Sequence, residues 1–172
     1  MKLKSFLRKA ESVLNRLDAW LPPETREPDW NATAFRWQKA GNKGILESLP
    51  APHTFPLSRL AAVDSQTAKL VRNTEQFLAG RPANNVLLTG SRGTGKSSLV
   101  KACLPTFRDE GLRLIEVDKA QLTDLPEIVE RIQNRPERFI IYCDDLSFEQ
   151  GEGAYKALKT VLDGSLAGQA DN

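Results

Sequence analysis

Gly90-Ser91-Arg92-Gly93-Thr94-Gly95-Lys96-Ser97 has the spacing G-x-x-x-x-G-K-[ST] of a phosphate-binding loop. Its glycines let the backbone curl so that successive N–H groups converge on phosphate oxygens. Lys96 can reach β- and γ-phosphates, and the Ser97 hydroxyl can ligand Mg²⁺. A helix is expected to begin here, with Ser98 in its first turn, so its positive dipole end joins the same anion site. A plain glycine-rich turn needs neither Lys96 nor Ser97.

The flanking residues supply the expected setting. Val86-Leu87-Leu88-Thr89 reads as a short buried strand, and Ser98 to Leu104 as a helix with Leu99, Val100, Cys103 and Leu104 on one face. Further on, Phe139-Ile140-Ile141-Tyr142-Cys143 is an apolar strand running into Asp144-Asp145, the pattern of a Walker B element. Asp144 is placed to hold Mg²⁺ through a water, opposite Ser97. The competing interpretation is a polar strand end followed by a turn. Together the two motifs describe ATP–Mg²⁺ chemistry: the metal bridges phosphate oxygens, Lys96 stabilises developing charge, and a water attacks in line. No Asn-Lys-x-Asp segment follows the loop, which argues against a GTPase. The lack of an obvious acceptor-binding segment argues less strongly against a small-molecule kinase.

These motifs must be held by a fold. A helix is expected from Asp64 to about Ala79, a strand over Leu112–Val117, and a helix starting at Asp124 with Glu127 three residues on as its capping partner. Ile128, Val129 and Ile132 form the apolar face of that helix, and Tyr155, Leu158, Val161 and Leu162 mark a last one, closed by Gly164. Alternating strands and helices give an α/β class with a parallel sheet flanked by helices. Before this core, residues 1–57 read as an appendage, leaving 58–172 as the core unit. Leu3, Phe6, Leu7, Ala10, Val13, Leu14, Leu17 and Leu21 make an amphipathic helical stripe that Pro22 and Pro23 end; it can dock on protein or, alternatively, lie on a membrane surface. Residues 22–58 hold six of the ten prolines and read as a loop-rich arm whose Trp30, Phe35 and Trp37 lie against a surface. Base stacking beside Arg36 is the alternative.

Composition narrows the partners. Hydrophobic content of 40% and charge of 27% suit a soluble globular chain. A net charge of +2 gives nucleic acid little to bind. No apolar run approaches the ~20 residues of a membrane span, and the basic N-terminus lacks the continuous apolar core of a signal peptide. Cys103 and Cys143 sit in apolar contexts and are expected as buried thiols rather than a disulfide or metal site, and the one histidine, His53, supports no His-based triad or zinc site. The cytoplasm is the default compartment.

Beyond its two Walker elements, the chain resembles a bacterial family of predicted AAA+-type ATPases known mainly as a domain of unknown function. The matching stretches include Ala34-Phe35-Arg36-Trp37, Arg72 to Gly80, Ala83 to Gly90, Gly111 to Lys119, Arg135 to Phe139, Cys143 to Glu149 and Tyr155 to Lys159. The resemblance implies ATP as ligand, an AAA+-like nucleotide site and self-association. It places Leu57 to Asp64 near the adenine. It also puts Asp145 where such ATPases keep a carboxylate that orients the attacking water, more often a Glu. One departure stands out. Family members continue past Asn172 into a sensor strand, an arginine finger and a helical lid, so the chain looks C-terminally truncated. That strand would lie between the loop strand and the Walker B strand. Without it, either those two strands pair directly or an apolar gap remains. A finger is worth about 10³–10⁵ in rate, so hydrolysis by this chain is less expected than ATP binding. Two alternatives remain beside the nucleotide-binding reading: a non-catalytic interaction fragment that docks on a full-length relative, and a nucleic-acid-associated loader-type ATPase.

Overall fold

The computed structural model describes residues 27–41 and 43–146, with Lys4, Phe6, Ser12, Val13 and Lys159 besides. The expected N-terminal stripe and the last helix around Tyr155–Leu162 lie largely or wholly outside the described residues.

Among the described residues, four strands form one sheet in the order β2-β1-β3-β4. They are β1 (Ala34–Ala40), β2 (Lys43–Leu49), β3 (Leu112–Glu116) and β4 (Arg138–Tyr142). The helices that lie wholly within the described residues are α1 (Asp64–Leu78), α2 (Lys96–Phe107) and α3 (Leu125–Ile132), with short 3₁₀ turns at Leu57–Arg59, Arg108–Glu110 and Lys119–Asp124. β1, β3 and β4 run parallel, in register Ala34↔Leu114 and Leu114↔Ile140. β2 is antiparallel to β1, so the sheet is mixed rather than wholly parallel. No helix among the described residues is long and apolar enough to cross a membrane.

The two faces follow from the period of two along each strand. Phe35, Trp37, Ile115 and Phe139 point to one side, where Leu125, Ile128 and Ile132 of α3 cover them. Leu112 points to the other side, against Leu99, Cys103 and Phe107 of α2 and Leu70 of α1. Ala34 and Leu114 meet Leu104 on that same side. Sheet strands buried on both faces read as near-continuous apolar runs, as β3 and β4 do.

Two differences from the sequence expectations matter for the site. Residues read as a loop-rich arm form the β1–β2 hairpin, and Phe35 and Trp37 are fully buried in the core rather than laid on a surface. The prolines that suggested an arm flank the hairpin, whereas β1 and β2 contain none. Secondly, Val86–Thr89 forms no strand. Arg138 N–H donates to Gly111 and the Tyr142 carbonyl accepts from Val117, so Phe139 and Ile141 turn their backbone groups away from β3. That edge of β4 has no partner strand among the described residues. The loop approach does not pair with β4, and Val86 and Leu87 are 50% and 75% exposed. An isolated segment has no ladder to satisfy its backbone groups, which turn to water or side chains instead. Asn73 supplies one such clamp: its amide donates to the Asn84 carbonyl at 2.8 Å and accepts from Asn84 N–H at 2.9 Å. The approach is thereby tied to α1, and Leu88 packs beneath it on the Leu70–Leu99 cluster.

Candidate functional site

Gly90 to Gly95 precedes α2, and the helix starts at Lys96 as expected. Gly93 and Gly95 have φ of 80° and 83°, where side chains other than glycine are strained. A Cβ at either would meet nothing within 4 Å, so backbone conformation rather than crowding calls for glycine there. Leu99 N–H donates to the Gly95 carbonyl at 2.8 Å, making the first helical bond. The Thr94 hydroxyl donates to the Ser91 carbonyl at 2.8 Å. Lys96 Nζ donates to the carbonyls of Gly90 and Ser91, each at 2.9 Å, so the loop closes on its own lysine.

Asp144 and Asp145 follow β4 directly, and the fold brings both to this loop. The fold brings the Ser97 hydroxyl to the Asp144 carboxylate, and this polar neighbour is the main cause that holds Asp144 below the usual carboxylate range. Burial acts against it; the Asp145 N–H and the charges of Lys101 and Lys96 act with it. The Asp145 N–H donates to Asp144 Oδ1 at 2.9 Å. Asp145 itself has φ 48°, a left-handed conformation that aspartate tolerates better than most residues. Its carboxylate lies 3.9 Å from Arg92 Nη2 across the site, with both side chains largely exposed. Ser98 sits in the first turn of α2.

Four residues beside the site were not singled out as a group by the motifs. Glu116, at the end of β3, accepts from Arg36 Nη2 at 2.9 Å and Nε at 3.2 Å. Its other oxygen is 3.7 Å from Lys101 Nζ, and Tyr142, its partner on β4, adds a polar hydroxyl that favours the ionised carboxylate. Burial opposes ionisation of Glu116, but the Tyr142 hydroxyl, the Arg36 bonds and the Lys101 charge outweigh it and hold the carboxyl low. Burial, with the Glu116 carboxylate, pushes the Tyr142 phenol up. These groups, with His53, line a cavity of about 110 Å³. The available signal was period two: Tyr142 precedes Asp144 by two residues, and Glu116 is its cross-strand partner.

The expected cap of α3 is not formed. Asp124 makes no bond to the helix; it accepts from Trp37 Nε1 at 3.1 Å and pairs with Lys39 at 2.8 Å. The tertiary partners win because a nearly buried carboxylate gains more from an ammonium than from one backbone N–H. Leu57 and Leu60, in the segment expected near an adenine, pack on the α1–α2 cluster. Both cysteines are free thiols; Cys103 is buried and Cys143 half-buried, and burial pushes each up to about 11.

The donor set fits a metal that arrives with phosphate. One hydroxyl and one carboxylate converge, and no group of three or more His, Cys, Asp or Glu is gathered among the described residues. Mg²⁺ suits such a sparse site, since it keeps several waters and takes phosphate oxygens.

The profile of a family described as protein of unknown function (DUF815) matches residues 30–172, most of the chain. The chain belongs to this family. No curated protein and no solved structure matches it. The DUF815 match spans the β1–β2 hairpin, the glycine loop and the Asp144-Asp145 pair alike.

Proposed function

We propose that this DUF815 protein binds ATP with Mg²⁺ and is of AAA+-type ATPase ancestry. The observation that carries this reading is the contact between Ser97 and Asp144. Two residues far apart in sequence, each assigned to the same metal by its own motif, meet beside a glycine loop with the required left-handed φ values. Ser97 and Asp144 would hold the metal, which would offset the charge of the phosphates when bound. Lys96 exchanges the Gly90 and Ser91 carbonyls for phosphate oxygens. Asp145 accepts a hydrogen bond from the attacking water.

Titration of the purified protein with a fluorescent ATP analogue and Mg²⁺ tests this. Saturable binding is expected, with an affinity loss of about tenfold or more in Lys96→Ala, equivalent to about 1.4 kcal/mol. Absence of saturation, or equal binding by Lys96→Ala, overturns the reading.

A second reading, docking on a longer relative, is favoured by exposed Val86 and Leu87 and by the edge of β4 that has no partner strand among the described residues. It predicts that mixing with a longer relative produces a larger species in sedimentation and that Leu87→Lys abolishes it. An unchanged sedimentation profile rejects docking.

A further inference from the structure

We infer that Arg92 is a phosphate-sensing residue that masks Asp145 in the empty loop and releases it when a terminal phosphate enters. The inference rests on the nucleotide-binding reading and adds a regulatory step to that site. The loop carries two cations, and both are engaged within the protein. Lys96 is held by the carbonyls of Gly90 and Ser91. Arg92, from the same turn, reaches across to Asp145, Nη2 to Oδ2, at 3.9 Å. Asp145 is set there by two features: its backbone N–H is fixed on Asp144 Oδ1 at 2.9 Å, and its φ of 48° turns the chain at the end of the strand.

The Arg92 and Asp145 side chains are 94% and 75% exposed, so water screens their pairing and makes it weak. That weakness is what permits exchange. A terminal phosphate group carries about 1.5 to 2 negative charges and three acceptor oxygens, against one charge on Asp145. A guanidinium also meets phosphate with two parallel bonds. Arg92 therefore moves from carboxylate to phosphate when the loop fills. With Arg92 against it, Asp145 Oδ2 faces a guanidinium; without it, that oxygen is open to accept a hydrogen bond from water. Occupancy of the loop and readiness of the acceptor are thus linked through one side chain.

A double-mutant cycle on binding tests the exchange. The probe is a fluorescent, non-hydrolysable ATP analogue with Mg²⁺, titrated into the full chain and into Arg92→Ala, Asp145→Asn and the double variant. Exposure of both side chains predicts unchanged thermal midpoints, which verifies that all four proteins are folded. If Arg92 is shared between Asp145 and phosphate, Asp145→Asn tightens binding by about two- to fivefold more when Arg92 is present than when it is alanine. Arg92→Lys restores part of that difference. An additive cycle, or a smaller effect with Arg92 present, overturns the inference while leaving nucleotide binding intact, provided Lys96→Ala still weakens the probe. Absence of saturable binding by the unsubstituted chain, or equal binding by Lys96→Ala, overturns both.

Discussion

Trp37 shows how much one side chain organises. Its ring is buried, its Nε1 donates to Asp124, and the Arg131 guanidinium lies 5.3 Å above it. Space for the ring comes from Gly44 on the neighbouring strand, where a Cβ would overlap the indole. Gly44→Ala is therefore expected to destabilise the protein by about 1–3 kcal/mol through overpacking, read as a lowered urea midpoint. An unchanged midpoint would mean that the ring can slide aside. Trp37→Phe keeps most of the apolar volume but leaves the nearly buried Asp124 carboxylate with Lys39 and without its indole donor, for an expected loss of about 1–3 kcal/mol. The restriction at Gly44 was not legible locally. Gly44 reads as part of the loop-rich arm, and only the pairing of β1 with β2 brings the indole onto it.

Among the elements, the hairpin and the loop approach exchange their expected roles. β1 is interior to the sheet, between β2 and β3, and its Phe35 packs with Trp30 and Phe139 at ring separations of 5.6 and 6.3 Å. Phe35→Ala should cost about 3–5 kcal/mol, as expected for removal of a fully buried ring. Leu87→Ala should change stability by no more than about 0.5 kcal/mol, because that side chain is already mostly in water. Chemical denaturation of the pair discriminates directly; a large effect at Leu87 with little at Phe35 would contradict this placement. Periodicity located α1, α2, β3 and β4 to within a few residues, since each carries its own apolar pattern over a full element. For Val86–Thr89 the pattern was equally apolar, but strand formation needs a partner edge, which local sequence does not supply.

At the scale of the whole molecule, charge is arranged around ionised carboxylates. Asp144, Glu116, Asp124 and Glu137 are all held below their ordinary values. For Glu137, as for Glu116 and Asp124, burial opposes ionisation, and a salt bridge or hydrogen bonds overcome it, here from Arg135 at 2.9 Å. A carboxyl with a folded pKa below its unfolded value, near about 4, contributes stability above that value. The contribution is lost as pH falls through the folded pKa. Urea midpoints should therefore be level from pH 7 to about 5 and fall progressively below about pH 4. A midpoint that stayed constant down to pH 3 would show that these pairings do not bear on folding.

The residues by themselves determined the loop, its lysine and serine, and the strand that ends in two aspartates. Each is a local pattern whose chemistry depends on spacing along the chain: glycines for positive φ, a helix start for anion affinity, an apolar run before the acids. Tertiary structure decided which of these groups meet. It put Ser97 against Asp144, set Arg92 opposite Asp145, and gathered Arg36, Lys101 and Tyr142 around Glu116. It also took Asp124 from its helix and gave it to Trp37 and Lys39. These outcomes depend on strand order and register, which arise from competition among long-range pairings. A short segment encodes its own conformation, whereas the partner of its side chains is chosen by the whole chain.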